Sequence, residues 1–386
     1  MNEKTRDTIL TIICYLLSLL PFVWWGREMA EIETLLYGEL DTGQSMLFYG
    51  GSLLVLLIWF SIHTIFHEFG HLIAGLLTGY RFVSFRVGKL VLVKENGKLT
   101  TKKMTLKGTS GQCLMCPPPS KPEEMEDTWY LLGGPLANMV LASLSMYLYS
   151  IFTYTLATYI VFFLGGISGL ICCIMNLFPM KAGGMVNDGY NIFITGRNAH
   201  AKAALYYCLT ANAQMSEKEQ LSDISEELLS GIKEFSYEDI TNVGEGNLFS
   251  LCSLIYLAEG EYEAAEACSR RLFETEGVLG LFKYEAQCDL LYHELIGACR
   301  QEEIKKLYTK ELKKYINQTS SYPARKMLMF AYYHCCKKDE MQATRELCDL
   351  KALKDVYPVR FDYGTALKEV ERLKAAGHPD IGKLDL

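Results

Sequence analysis

The sequence predicts a mostly α-helical fold. A polytopic membrane core of about four spanning helices with a short β-hairpin is followed by a soluble α-helical, repeat-like domain. Three patterns predict it. Long stretches of the first half carry no charge, an Asn-Gly pair interrupts alternating apolar residues between two of them, and charged helical periods take over from about Thr195. The division falls between residues 1–194, the membrane core, and 195–386, the helical domain.

Thr8 to Trp25, Met46 to Phe66 and Thr128 to Met180 contain no Asp, Glu, Lys or Arg. A bilayer core needs about 20 apolar residues in a helix. The first two stretches therefore give one span each, and the third gives two with a turn near Ser150 to Tyr154. No small-residue cleavage site follows Trp24-Trp25, so the first stretch reads as a retained span with an aromatic interfacial anchor, not a signal peptide.

Lysine and arginine set the orientation. Glu28, Glu31, Glu33, Glu39 and Asp41 lie between the first two spans against Arg27 alone. After the second come Arg81, Arg86, Lys89, Lys94, Lys98, Lys102, Lys103 and Lys107, opposed by Glu95. The positive-inside rule puts this basic loop and both termini in the cytoplasm. The 13 cysteines are scattered through cytoplasmic or membrane segments, which argues against disulfides. Cys113-Leu114-Met115-Cys116 has metal-pair spacing but no second pair to complete a site, and Cys172-Cys173 read as small packing residues.

The second uncharged stretch runs into Phe66-His67-Glu68-Phe69-Gly70-His71, an HExxH motif. On a helix, His67 and His71 lie one turn apart on one face and can grip one metal ion, with Glu68 beside them to take a proton from a water at that ion. Ionisable groups at membrane depth are costly without partners, which favours chemistry over a solvated face. His63, a turn earlier, is either an alternative ligand or a supporting or packing histidine. Two imidazoles leave a catalytic-type zinc one protein ligand short. Asp188, in Asn187-Asp188-Gly189, is the first carboxylate after Asp127. Alone it reads as a polar cap where the chain leaves the membrane; with the histidines at the same cytoplasmic level it reads as the third ligand. Asn138, costly in lipid, is expected to hydrogen-bond toward the HExxH helix. Gly133-Gly134-Pro135 interrupt their span for close helix packing or for substrate entry.

Taken together, His67-Glu68-Phe69-Gly70-His71, Gly133-Gly134-Pro135-Leu136-Ala137-Asn138, and Asn176-x-x-Pro179 followed by Asp188-Gly189 resemble the site-2 protease family of membrane metalloproteases. The motifs fall in that family's order, each on the expected span, and cover the first half of the chain. The resemblance implies one Zn2+ per chain held by His67, His71 and Asp188, Glu68 as the catalytic base, and Asn176, with Asn138, as substrate-orienting residues. It also implies cleavage of a membrane-associated protein or peptide, here in a bacterial cell membrane. The family usually carries its aspartate closer behind NxxP than Asp188 lies behind Pro179; the intervening Met180 to Asn187 is glycine-bearing and reads as flexible.

Phe82 to Met104 alternates around Glu95-Asn96-Gly97-Lys98, a hairpin signal. Arg86, Lys89, Lys94 and Lys98 would meet anionic headgroups of the lipid bilayer, and the hairpin is either a membrane-surface element or an edge that pairs with an extended substrate. In the second half, Ala258-Glu259-Gly260-Glu261-Tyr262-Glu263-Ala264-Ala265 resembles the turn of a tetratricopeptide unit, and Asp339 to Thr344 is a weaker echo. Such a domain offers a surface for a protein partner, recruiting substrate, or simply caps the core. Its mildly acidic charge gives no footprint for nucleic acid. The alternative to an enzyme is a non-catalytic membrane adaptor whose helical domain binds a partner and whose metal site is vestigial or structural.

Overall fold

A computed structural model describes residues 3–38, 40–95, 97–104, 110–152, 155–182, 185–235, 243–276, 278 and 280–376. Asn96 of the predicted hairpin turn, Thr153 and Tyr154 of the predicted inter-span turn, and Gly183-Gly184 lie outside the described residues. Most of the chain is helical, with a small antiparallel sheet of four strands. It divides into two units, Met1–Val87 with Gly108–Pro118 and Glu126–Ala199, and Gly88–Lys107 with Pro119–Met125 and His200–Leu386.

The first unit is built on long apolar helices: α1 (Glu3–Tyr37), α2 (Thr42–Leu77), α3 (Thr128–Ile151), and a last helix that runs from α4 (Leu156–Thr158) through a π-helical turn at Tyr159–Phe163 into α5 (Leu164–Leu177). Four segments, Thr5–Leu35, Thr42–Leu77, Pro122–Ile151 and Leu156–Leu177, are long and apolar enough to cross a membrane, the number the charge-free stretches predict. On this composition the chain is an integral membrane protein.

Helix α2 starts at a capping box, with Asp41 accepting from the Gln44 amide at 2.9 Å and the Gln44 side chain accepting from the Asp41 amide at 3.2 Å. It ends where Gly79 takes a φ of +85° that other residues avoid. Its burial inverts the soluble pattern. Leu53, Leu54, Leu57, Ile58, Ile65, Phe69, Ile73 and Leu76 face outward, whereas Ser52, His63, His67, Glu68, Gly70 and His71 face inward. Lipid solvates the outer apolar side chains, and the polar ones find partners only inside. α2 and α3 cross at Gly70 and Gly133, where a Cβ on either would run into the other's carbonyl. Beyond that crossing, Met29, Leu56, Tyr159, Phe163, Leu164, Ile167 and Ile171 pack a common core. Two polar pairs are threaded through it: Ser52 with Tyr159 at 2.9 Å, and the Tyr149 hydroxyl donating to Glu28 at 2.6 Å.

β1 (Arg81–Val87) pairs antiparallel with β4 (Gly111–Cys116), with a register shift between Phe82 and Ser84. Sequence reading gave one hairpin between Phe82 and Met104. That hairpin forms between Leu90 and Lys103; the chain also turns before it at Gly88, where φ is +59°, and the Gln112 to Cys116 run supplies a further strand that short alternation did not distinguish from loop. The reading of Arg86 as a headgroup contact is corrected too. It is 2% exposed, and its guanidinium donates to the Gly111 carbonyl at 3.0 Å. Cys113 and Cys116, three residues apart on a strand, point to opposite faces and do not converge as a pair. Past α5, β5 (Lys181–Ala182) and β6 (Met185–Val186) pair and lead into α6 (Asp188–Thr195).

In the second unit β2 (Leu90–Glu95) and β3 (Lys98–Lys103) pair across Gly97 at φ +79°, and Lys103 N–H donates to the Val356 carbonyl at 3.2 Å. The helices are α7 (Ala199–Glu217), α8 (Glu226–Lys233), α9 (Val243–Glu259), α10 (Tyr262–Glu274), α11 (Gly280–Ile296), α12 (Gln301–Leu307), α13 (Lys310–Gln318), α14 (Pro323–Ala331), α15 (Glu340–Lys351) and α16 (Arg360–Ala376). α9 and α10 form a helical hairpin closed by Gly260 at φ +86°, within the segment that resembles a repeat turn, and are stitched by Ser253 and Ser269 at 2.9 Å. Among the described residues, apolar clusters of this unit gather around Leu291, Leu312, Leu328 and Val370, around Ala204, Leu228, Leu248 and Phe361, and around Phe249, Leu272 and Ala286.

Candidate metal centre

Helical spacing brings His67 and His71 together, and the N-terminus of α6 brings Asp188 to them. The two Nε2 atoms are 3.0 Å apart; Asp188 Oδ2 lies 3.0 Å from His67 Nε2 and 3.4 Å from His71 Nε2. A tetrahedral zinc with bonds of about 2.0–2.1 Å spaces its ligand atoms about 3.3 Å apart. The triangle therefore fits such an ion, with a fourth position left for water or substrate. Among the described residues no other set of three His, Cys, Asp or Glu groups converges in this way.

Hydrogen bonds behind the triangle fix its imidazoles. His71 Nδ1–H donates to the Tyr130 carbonyl at 2.7 Å, which leaves Nε2 with a free lone pair toward Asp188. Tyr130 is in turn tied by its hydroxyl to the Cys113 carbonyl at 2.7 Å. His67 Nδ1 meets the Asn138 side-chain amide at 3.1 Å. Above the imidazoles passes the backbone of Gly134, where a Cβ would lie 2.5 Å from His71 Nε2 and His67 Cε1. Only a glycine lets α3 lie that close. Burial alone would raise the Asp188 carboxyl; the facing His71 and His67 imidazoles outweigh it and hold the group below the usual carboxylate range.

Glu68 is buried beside the triangle. The Cys113 backbone N–H donates to its carboxylate, and a Cβ at Gly111 would run into that carboxylate. β4 thus forms the wall against which Glu68 is held.

His63 stands apart from the triangle. Its Nε2 is 2.8 Å from the Gly165 carbonyl and its Nδ1 3.3 Å from the Asn138 amide. Asn138 is therefore shared between His63 and His67, in keeping with its expected bond to the HExxH helix. The Asn176 amide donates to the Cys172 carbonyl at 2.9 Å, one turn back on α5.

Asn187 and Tyr130 escaped sequence reasoning. Asn187 caps α6: its Oδ1 accepts from Tyr190 N–H at 2.9 Å and Met180 N–H at 3.0 Å, and its Nδ2 donates to the Met175 and Phe178 carbonyls, each at 2.6 Å. An Asn directly before the first helical residue is a cap signal that could have been read. Tyr130 acts through a backbone carbonyl, which leaves no trace in residue type. The segment read as flexible is also anchored at its start. Lys181 Nζ lies 2.6 Å from Asp7, its N–H donates to Thr11 at 3.4 Å, and the Tyr190 hydroxyl donates to Asp7 at 3.2 Å.

A family model described as Peptidase M50B-like matches residues 45–231. The matched region takes in the HExxH helix, the sheet, α3, α5 and Asp188. No curated protein and no solved structure matches the chain.

Proposed function

We propose that this chain is an integral membrane zinc endopeptidase of the site-2 protease type, cleaving a membrane-associated protein or peptide near the cytoplasmic face. The observation that carries the reading is the triangle of His67, His71 and Asp188 with Glu68 held against it, its histidines on the inward face of a helix whose outward side chains are apolar. The Peptidase M50B-like match supports it. A purely structural metal site has no use for a buried carboxylate that is not a ligand, and Glu68 is such a group.

His67, His71 and Asp188 would hold one zinc ion, which supplies Lewis acidity toward a water and a scissile carbonyl. Glu68 accepts the proton of the attacking water and returns it to the departing amine nitrogen. The Cys113 N–H keeps its carboxylate in place without consuming both oxygens. Asn176 and Asn138 are the residues offered for orienting substrate or its site. Both termini and the basic loop are assigned to the cytoplasm of a bacterial cell, and the helical second unit to recruiting substrate or its delivery partner.

The test compares membrane proteins of cells carrying the wild type with those carrying Glu68→Gln. An intact precursor that accumulates only in the variant supports the protease. Identical profiles, with substrate-binding partners still captured, would favour the adaptor.

A further inference from the structure

The hydrogen bonds behind His67 form a chain whose direction can be worked out from one end. At that end is the Gly165 carbonyl, which only accepts; His63 Nε2 lies 2.8 Å away, so that nitrogen carries the proton. His63 is fully buried against Trp59, Asn138, Gly165 and Gly169, and none of these bears a charge. With a single ring proton on Nε2, its Nδ1 is an acceptor and takes the amide NH2 of Asn138. The Asn138 oxygen then faces His67 Nδ1 and accepts its N–H. That leaves the His67 Nε2 lone pair aimed at Asp188 and His71, where a metal needs it.

In the structure the amide has the opposite sense, with Oδ1 3.3 Å from His63 and Nδ2 3.1 Å from His67. A half-turn of the amide exchanges its oxygen and nitrogen and leaves the packing unchanged. With Nδ2 toward His67, the amide donates into His67 Nδ1, which forces the proton to Nε2 and blocks ligation there. Only the flipped sense serves both the Gly165 carbonyl and a metal.

We propose that His63 is a positioning residue: it sets the sense of the Asn138 amide and, through it, the tautomer in which His67 binds metal. His71 receives the same service from a single fixed carbonyl, that of Tyr130, at 2.7 Å. Among the described residues His67 Nδ1 meets the Asn138 amide and no backbone acceptor, so an amide with two possible senses does the work and needs something to choose between them.

The inference rests on the zinc reading above, and the test separates the two. Zinc affinity of the full-length, detergent-purified chain is measured by competition with a chromophoric chelator. 15N spectra of histidine-labelled protein report the His67 tautomer. His63→Phe, which keeps a ring but cannot accept a bond, should weaken zinc by about tenfold, at the low end of supporting-residue effects. It should also leave His67 with mixed tautomer signals. Asn138→Asp can only accept from His67, so it should bind zinc within about threefold of wild type, and adding His63→Phe to it should cost nothing more. An equal loss from His63→Phe in both backgrounds, or no loss in either, overturns the proposal: His63 would then only pack. If the wild-type chain takes up no zinc, the metal reading itself fails, and that result is distinct from the other two.

Discussion

Gly134 lies over His71 with no room for a side chain: a Cβ there would stand 2.5 Å from His71 Nε2. Gly134→Ala should therefore displace an imidazole edge or push α3 back. Overpacking of this kind costs about 1–3 kcal/mol, and here the cost falls on the imidazoles of His67 and His71. Zinc affinity should drop at least tenfold while the detergent-solubilised chain stays monodisperse; unchanged affinity would mean that the imidazoles do not point where the triangle requires.

Glu68→Gln removes the proton acceptor and no ligand. Turnover should fall by roughly 10²–10⁴ with zinc content near one per chain. Asp188→Asn should lose zinc as well as turnover, because a neutral amide is a poor ligand. Elemental analysis beside a cleavage assay separates the two, and retention of wild-type rate by Glu68→Gln would remove it from the mechanism.

Asn187→Ala should cost the α6 cap about 1 kcal/mol and release the carbonyls of Met175 and Phe178. Asp188 would then be held by a looser support. The expected result is faster zinc release in a stopped-flow chelator assay, with overall helicity by circular dichroism preserved.

A pH effect is expected in the second unit. Burial pushes the Asp289 carboxyl up to about 7, nearby Glu285 adds to this, and Arg325 partly opposes it. The unfolded value is about 3.9. The folded state therefore binds this proton more tightly, and Asp289 adds stability as pH falls from about 7 toward 4, a gain that is absent above about pH 7. Asp289→Asn should raise the apparent unfolding temperature of this unit at pH about 8 and flatten its pH dependence. A variant whose unfolding keeps the wild-type pH dependence would exclude Asp289 as the cause.

The charge asymmetry predicts topology. Fusion reporters at Lys103 should read cytoplasmic and at Glu33 external. The reverse pattern would move the metal centre to the other face of the membrane.

Much of this was legible because it is local or compositional. Charge-free stretches mark the long apolar helices, and His67 and His71 meet simply because they are four residues apart on a helix. Asp188 could be found because it is the first carboxylate after a long charge-free run. What was not legible depends on tertiary neighbours. β4 is too short for its alternation to stand out, and Arg86 reads as a surface cation until the Gly111 carbonyl claims it. The flexible reading of Met180 to Asn187 followed from its glycines. It missed the Lys181 bond to Asp7 because those residues are far apart in sequence and meet only in the fold.

The grip of Asn187 has one more consequence. The four bonds of its side chain go to main-chain atoms, those of Met175, Phe178, Met180 and Tyr190. Main-chain atoms are the same whatever side chain they carry. The side chains at positions 175, 178 and 180 are therefore open to exchange as far as this knot is concerned, whereas position 187 is not. A saturation library should therefore tolerate exchange at position 178, whose side chain is exposed, and reject it at position 187, the mark of a segment whose placement is encoded in backbone shape and one amide.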